Sequence, residues 1–284
     1  MRIGTNTAAM NTYSNLKSAN ASKAGSLAKL SSGLRINKAG DDAAGLSISE
    51  KMKNQISGLS QASRNAQDGI SLIQTAEGGL SETHSILNRM RDLSVQASNE
   101  TNSTEDLKAI DSEMTSLTTE IDRIAKTTKF NGKGLLFDTK AAPDQESKFV
   151  LQIGANTADE DAMTITIADM DKVGLGIDAL EDIITDPAAA NANALLNVDS
   201  IDAAIELVSA QRTSLGANQN RLEHTINNLS TTKENLSEAN SRITDVDMAE
   251  EMTSFTKSNI LAQAATSMLA QANQMPQSVL SLLQ

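Results

Sequence analysis

The sequence MAEEMTSFTKSNILAQAATSMLAQANQMPQSVLSLLQ (residues 248–284) is the stretch around which this chain is organised. Its apolar side chains recur in alternating steps of four and three residues, the spacing of a coiled-coil seam. They are Leu261, Ala265, Met268, Ala272, Met275, Val279 and Leu282. The residues between them are mainly Gln, Asn, Ser and Thr, and no charged side chain follows Lys257. Because a solvated helix face normally carries charges, we expect this helix to pack against protein on several faces.

The N-terminal segment offers a partner of the same kind. Between Ala9 and Leu34 the same alternation of steps recurs, and its large apolar members are Tyr13, Leu16, Leu27, Leu30 and Leu34. This segment is rich in Asn, Ser and Thr, so it is a weak helix on its own and needs a neighbour. We therefore predict that the two terminal helices pair with each other.

Three further runs between the ends carry the same spacing, at residues 52–87, 107–124 and 201–243. A helix over residues 43–98 would be about 80 Å long at ~1.5 Å per residue, which indicates a rod. Gly69, Gly78 and Gly79 each cost about 1 kcal/mol in a helix and argue against its continuity. Pro187 and the Ala/Asn run after it predict a loop or irregular linker over residues 186–198.

The apolar period changes to two in the middle of the chain. Phe149, Leu151 and Ile153 alternate with other residues, and Met163, Ile165 and Ile167 do the same after a turn-rich stretch. Two such runs joined by turn residues predict a β-hairpin. The fold class is therefore mainly α: a long antiparallel coiled-coil rod with paired terminal helices and a small β-hairpin region. We expect a terminal helical domain of residues 1–42 plus 247–284 and a rod domain of residues 43–246, with the hairpin region at about 130–177.

Composition excludes several classes of function. The chain of 284 residues has a formal net charge of -12 and 2% aromatic residues, so it lacks the basic surface and stacking platforms of a nucleic-acid-binding protein. It has no run of about 18 apolar residues, so membrane insertion is not expected. The first ten residues have no apolar core of the kind that a cleaved signal peptide requires.

Nothing in the sequence has the pattern of a catalytic, cofactor or metal site. The two histidines, His84 and His224, each lie inside a helical run, where they are either a metal or acid-base pair or, as we favour, interface or surface residues. The acidic stretches at 159–161 and 169–171 do not follow the spacing of an EF-hand loop. We therefore predict a protein without cofactors that is not an enzyme.

Several short motifs, in order along the chain, closely resemble bacterial flagellin. They are LSSGLRIN at 30–37, DDAAG at 41–45, NQNRL at 218–222, SRITD at 241–245 and AQANQMPQSVL at 270–280. The resemblance covers about residues 1–137 and 199–284. It implies a structural subunit that self-assembles into the helical flagellar filament for bacterial motility, with the terminal helices forming the inner tube. Only about 60 residues join the two matched parts, so no large outer domain is expected.

The resemblance also implies partners and a location. The protein is expected to be secreted, without cleavage of a signal peptide, into the extracellular filament of the bacterial flagellum. Its partners are then further copies of itself, the flagellar export chaperone at the C-terminal helix, and the filament cap and hook-junction proteins. The family's innate immune patch, read by a host Toll-like receptor, is similar to residues 87–96 with part of the next helix. The matching positions are Arg89, Leu93, Gln96 and Glu113.

Two other functions fit the same sequence. A hook-filament junction protein has similar helical ends but does not form a long filament, so growth of a homopolymer would distinguish the two. A secreted helical-rod adhesin or immune ligand would bind its receptor as a monomer, and substitution of Arg89 would then abolish its main activity without affecting polymerisation.

Overall fold

The computed structural model describes residues 6–137, 147–178, 180 and 190–282, and for residues 159, 190–192 and 275–282 it describes the backbone alone. The described residues form five α-helices and two antiparallel strand pairs. The helices are α1 (Thr7–Ser32), α2 (Ala43–Ala97), α3 (Thr104–Thr127), α4 (Ala190–Thr244) and α5 (Met248–Leu282), and the strands are β1 (Lys129–Phe130), β2 (Lys133–Gly134), β3 (Ser147–Gln152) and β4 (Ala162–Ile167). The expectation of a mainly α fold with a small β-hairpin is confirmed.

The chain forms two compact units. The terminal unit comprises Met1–Ile56 and Glu234–Gln284, and the central unit comprises Ser57–Lys233. The boundaries between the units fall inside α2 and α4. The predicted domain limits, at residues 42/43 and 246/247, lie in the loops before α2 and after α4. No helix among the described residues has both the length and the apolar character needed to cross a membrane.

The core of the central unit is an antiparallel coiled coil of α2 and α4. From Leu59 to Leu87 every seventh residue of α2 is a buried aliphatic side chain, and α4 has a matching series. The series are Leu59, Ala66, Ile73, Leu80 and Leu87 on α2, and Ile201, Val208, Leu215, Leu222 and Leu229 on α4. Salt bridges from Glu77 to Arg212 and from Arg91 to Asp202 join the two helices in antiparallel order. A strict seven-residue repeat of this kind maintains one packed face along both helices.

Helix α3 packs its own apolar stripe into the same core, where Leu107, Ile110, Met114 and Ile121 are buried. It begins at a capping box: the Ser103 hydroxyl accepts from the Asp106 backbone N–H, and the Asp106 carboxylate accepts from the Ser103 backbone N–H. This arrangement satisfies two N–H groups that a helix start otherwise leaves unpaired. The apolar run at 107–124 therefore lies in a helix, as its spacing indicates.

The predicted β-hairpin is formed by β3 and β4, and it packs on α2. Phe149 pairs with Ile165 and Leu151 with Met163. The β4 side chains Met163, Ile165 and Ile167 are buried, whereas Val150 points to solvent and is 67% exposed. The alternation therefore separates a face directed to the core from a face directed to water.

The glycines of α2 do not interrupt it, contrary to our expectation. A Cβ atom built on Gly69 would lie 2.3 Å from Leu151 Cδ1, and one on Gly79 would lie 2.9 Å from Leu136 Cδ1. These two glycines allow the strand region to approach the helix closely, and the packing gained there offsets their poor helix propensity.

The expected linker at 186–198 is wrong over residues 190–198, which form the first turns of α4; residues 186–189 lie outside the described part of the chain. Ala194 and Asn197 are buried, and they extend the spacing of the Ile201 series toward the helix start. Tertiary packing of these short side chains overrides the weak helix propensity of asparagine.

Candidate interaction surface

The terminal helices α1 and α5 pair in the terminal unit, as predicted. The helices contact each other through short side chains. Ser26 on α1 and Ser258, Ala262 and Ala272 on α5 are buried, and Ala19 on α1 is half-buried. Short side chains let two helices approach closely, but each buries little apolar area. This seam therefore aligns the helices without using most of their large apolar residues.

The contact face of α5 differs from the face that the apolar spacing predicts. It contains Ser258, Ala262, Ala265, Leu269 and Ala272, whereas the predicted seam begins with Leu261, Ala265, Met268 and Ala272. The two faces share Ala265 and Ala272. Met275, Val279 and Leu282 belong to the part of α5 whose side chains lie outside the described residues.

A similar shift occurs on α1. Leu16, Leu30 and Leu34 are half-buried, as expected of contact residues, but the neighbouring contact positions are Thr12 and Ser26 rather than Tyr13 and Leu27. The predicted seams therefore combine residues of two adjacent faces: one that packs within the chain and one that points outward.

The outward faces of α1 and α5 carry large apolar side chains of which the described residues leave half or more exposed. On α1 these are Met10 (64% exposed), Tyr13 (60%) and Leu27 (55%), and on α5 they are Met252 (50%), Ile260 (60%), Leu261 (51%) and Met268 (59%). We call these seven residues the outer apolar set. The four-three spacing predicts four of them, Tyr13, Leu27, Leu261 and Met268. The other three, Met10, Met252 and Ile260, lie outside that spacing and were not predicted.

The outer apolar set belongs to a wider bias in the molecule. Nine of the fifteen exposed large apolar side chains found in the described residues lie in the terminal unit, although that unit is the smaller of the two. Scattered exposed apolar residues are ordinary, but a concentration of them on one part of a protein marks an interaction surface.

Polar contacts fix the register of α1 against α5. The Lys23 ammonium donates to Asn259 Oδ1 at 2.8 Å and lies 6.0 Å from the centre of the Phe255 ring. At one end of the pair Lys29 lies 3.7 Å from a carboxylate oxygen of Glu251, and at the other end the Asn6 side chain donates to the Ala272 carbonyl oxygen at 2.8 Å. These bonds hold the outer apolar set of both helices in one defined arrangement.

The loop between α1 and α2 and the loop between α4 and α5 are hydrogen-bonded to each other. Gly33 ends α1 in the left-handed conformation (φ 73°) that favours glycine. Beyond it the Arg35 backbone N–H donates to the Thr244 carbonyl oxygen at 2.6 Å, and the Val246 N–H donates to the Gly33 carbonyl oxygen at 3.1 Å. The Arg35 guanidinium also donates to the Ile243 carbonyl oxygen, so it caps the C-terminal end of α4.

The loop between α1 and α2 is ordered by a carboxylate. Asp41 accepts from the backbone N–H groups of Asn37 and Lys38, and these bonds lower the pKa of Asp41 below its ordinary value. Ile36 is the buried apolar residue of this loop, at 4% exposure. The loop is therefore a fixed part of the terminal unit.

The predicted receptor-like patch lies on α2 and α3. Arg89 and Glu113 form a salt bridge, with Nη2 2.8 Å from Oε1, and Gln96 is exposed. Leu93 is only 2% exposed, because it packs into the core of the central unit. The structure thus brings three of the four positions to the surface and leaves Leu93 as their support.

The described residues contain no group of three or more His, Cys, Asp or Glu side chains that could hold a metal ion. His84 lies on α2 and His224 on α4, and His224 is exposed to solvent.

Comparisons with known proteins agree on the relatives of this chain. The family profile of the bacterial flagellin N-terminal helical region matches residues 3–141, and that of the C-terminal helical region matches residues 198–283. A flagellin of Bacillus subtilis (strain 168) is 52% identical over an alignment of 307 positions that covers all of both chains. A flagellin of Halalkalibacterium halodurans is 53% identical over 283 positions, again with full coverage of both. Among solved structures, a putative flagellar hook-associated protein from Vibrio parahaemolyticus has the same fold, with a TM-score of 0.61 over 72% of this chain and 100% of that one at 17% identity.

Proposed function

Because this chain belongs to the bacterial flagellin family, we propose that the outer apolar set of α1 and α5 is the surface through which copies of it assemble. The protein is a structural subunit of the flagellar filament, and its partner in assembly is a further copy of itself. The observation that carries the proposal is the placement of the large apolar residues. They lie outside the seam that joins α1 to α5, so they remain available to a neighbour.

Burial of the outer apolar set would contribute a large part of the free energy of assembly. Full burial of a large aliphatic side chain contributes roughly 1.5 to 3 kcal/mol, and each member of the outer apolar set has half or more of its area still to bury. Each is therefore worth about 1 to 2 kcal/mol on contact with a neighbour. The seven together contribute roughly 7 to 14 kcal/mol before the entropic cost of association, and a micromolar contact corresponds to a net ~8 kcal/mol.

The absence of charged side chains from the part of α5 after Lys257 supports the same assignment. No charged side chain follows Lys257, so covering the second half of the helix leaves no unpaired charge away from water. Of the predicted filament-core residues, we assign Tyr13, Leu27, Leu261 and Met268, together with Met10, Met252 and Ile260, to direct contact with a neighbour. The buried or half-buried members, Leu16, Leu30, Leu34, Ala265 and Ala272, would support that surface from within the chain. Met275, Val279 and Leu282 stay in the proposed interface as sequence predictions.

A charge substitution on this surface tests the proposal. Met268→Lys introduces a cation at a position that is 59% exposed in the free chain, so the subunit should stay folded by circular dichroism. Electron microscopy and sedimentation should show no filaments. Val150→Lys is the matched control, because Val150 is 67% exposed on the hairpin and the variant should polymerise normally. Normal filaments from Met268→Lys chains would refute the proposed surface.

The remaining partners belong to the same proposal. The export chaperone would hold α5, where Met252, Ile260 and Leu261 line a groove with Thr253, Thr256 and Lys257. Such binding would cover the apolar side chains before export, which would take place without cleavage of a signal peptide. Cap and hook-junction proteins would contact the same faces at the ends of a filament. Copurification of the chaperone with wild-type chains, but not with Leu261→Lys chains, would support this assignment.

A host Toll-like receptor would use the exposed patch around Arg89, Gln96 and Glu113. The paired Arg89 and Glu113 side chains present both charges at the surface, where a partner with polar groups can reach them. Arg89→Ala should weaken receptor binding in a surface-binding assay and leave the polymerisation threshold unchanged. Loss of polymerisation in this variant would instead assign the patch to subunit contacts.

A further inference from the structure

The methionines of this chain divide sharply by exposure. Four of them, Met10, Met248, Met252 and Met268, are 50 to 64% exposed, and all four lie in the terminal unit. The four methionines of the central unit are buried, at 4% exposure or less: Met90, Met114, Met163 and Met170. Met52 is half-buried, and the side chains of Met1 and Met275 lie outside the described residues.

This division has a chemical consequence. A peroxide oxidises methionine by two electrons: the thioether sulfur attacks one peroxide oxygen, a sulfur–oxygen bond forms, and the oxygen–oxygen bond breaks. With hydrogen peroxide the products are methionine sulfoxide and water. Susceptibility follows access of the oxidant to the sulfur, so exposed methionines react before buried ones.

We propose that Met10, Met248, Met252 and Met268 form an oxidation-sensitive site at which peroxides control assembly. The inference rests on the proposed function, since three of the four belong to the outer apolar set. Sulfoxide formation turns a flexible apolar side chain into a polar one. A neighbouring subunit would then have to cover a sulfoxide oxygen without supplying a hydrogen bond, which is unfavourable.

The buried methionines explain why the damage stays local. Met114 lies in the core of the central unit and is 4% exposed, and its sulfur accepts a hydrogen bond from the Ser94 hydroxyl at 3.8 Å. A mild dose of peroxide therefore leaves the central unit folded. The modified subunit remains a soluble chain that has lost its ability to add to a filament.

The same geometry distinguishes free subunits from assembled ones. In a filament the outer apolar set is covered by neighbours, so the sulfurs of Met10, Met252 and Met268 are withdrawn from the oxidant. Free subunits are then the sensitive form. Methionine sulfoxide reductases act on exposed sulfoxides, so the block is reversible before assembly.

The experiment treats purified full-length subunits with hydrogen peroxide and follows oxidation by peptide mass spectrometry. Sulfoxide should appear at the four exposed positions before it appears at Met90, Met114, Met163 or Met170. The concentration needed for polymerisation should rise at least tenfold while circular dichroism stays unchanged. Incubation with methionine sulfoxide reductases and thioredoxin should return the concentration needed for polymerisation to its untreated value. Faster oxidation of the buried set would overturn the proposal.

A quadruple variant, Met10→Leu, Met248→Leu, Met252→Leu and Met268→Leu, keeps the surface apolar and removes its sulfurs. It should polymerise with or without peroxide. If peroxide still blocks its assembly, the oxidation site is wrong although the assembly surface stands. If the quadruple variant polymerises normally and Met268→Lys does too, the assembly surface itself is wrong. Failure of the untreated quadruple variant to polymerise, with an unchanged circular dichroism spectrum, would overturn the claim that apolar character at these positions is what assembly needs.

Discussion

Leu261 and Ala262 are adjacent on α5, yet the structure predicts opposite consequences for substitutions at these two positions. Leu261 is 51% exposed on the outer face, whereas Ala262 is 8% exposed in the seam against α1. Leu261→Ala removes apolar area that the free chain already exposes to water and leaves helix propensity intact, since alanine is the better helix former. The stability of the free subunit should therefore change by less than about 1 kcal/mol.

The effect of Leu261→Ala on assembly should be larger. Half of the leucine side chain remains to be buried by a neighbour, which is worth about 1 to 1.5 kcal/mol. Since 1.4 kcal/mol corresponds to a tenfold change in an equilibrium constant, the critical concentration for polymerisation should rise roughly 5- to 13-fold. Sedimentation of chains across a concentration series measures this threshold directly.

Ala262→Leu should show the reverse order of effects. The added methyl groups have no space in a seam of short side chains, and overpacking of this kind costs typically 1 to 3 kcal/mol. Hydrogen exchange of the free subunit should then be faster in α1 and in the described part of α5 than in the wild type. Either of two results would refute the separation of the two faces: an unchanged critical concentration for Leu261→Ala, or a free Leu261→Ala subunit that is less stable than the free Ala262→Leu subunit.

Three further predictions concern the central unit. Gly78→Ala, where nothing lies within 4 Å of the new Cβ, should raise the free energy of unfolding by about 1 kcal/mol in urea titrations, whereas Gly69→Ala, which meets the hairpin, should be about 1 to 3 kcal/mol worse than Gly78→Ala. Glu77→Leu should destabilise the coiled coil because it leaves Arg212 half-buried and unpaired, and the added change Arg212→Leu should recover most of the loss in a double-mutant cycle. Hydrogen bonds from Ser103 lower the pKa of Asp106, so the stabilisation from this capping box is complete above about pH 4 and is lost as the pH falls through the lowered pKa. Melting curves of Asp106→Asn should accordingly lack that part of the acid dependence, and an identical acid profile would contradict it.

The central coiled coil was predictable because its buried residues are also its most hydrophobic ones. Ile73, Leu80, Leu215 and Leu222 recur every seven residues on helices whose other faces are polar, so the periodic signal and the packed face coincide. The hairpin was predictable for the same reason at a period of two. In both cases the chain buries its large aliphatic residues within itself.

The terminal unit breaks this coincidence. Its inner seam uses Ser26, Ser258 and Ala262, which carry little hydrophobic signal, while Leu261 and Met268 carry a strong signal and stay outside. Spacing alone detects large apolar residues without indicating whether their partner is in the same chain. The start of α4 was missed for a related reason, because Ala194 and Asn197 are buried short side chains that follow a proline-containing stretch.

The hydrogen bonds between the loops at Gly33 and Val246 affect how a rotating filament transmits torque. A filament that propels a cell is loaded in torsion. A single flexible loop next to a terminal helix would let that helix rotate freely. Here the two loops lie side by side and are joined by two backbone hydrogen bonds. The Arg35 N–H donates to the Thr244 carbonyl oxygen at 2.6 Å, and the Val246 N–H donates to the Gly33 carbonyl oxygen at 3.1 Å. Torque on one terminal helix is therefore shared by both loops, because neither loop can rotate without the other.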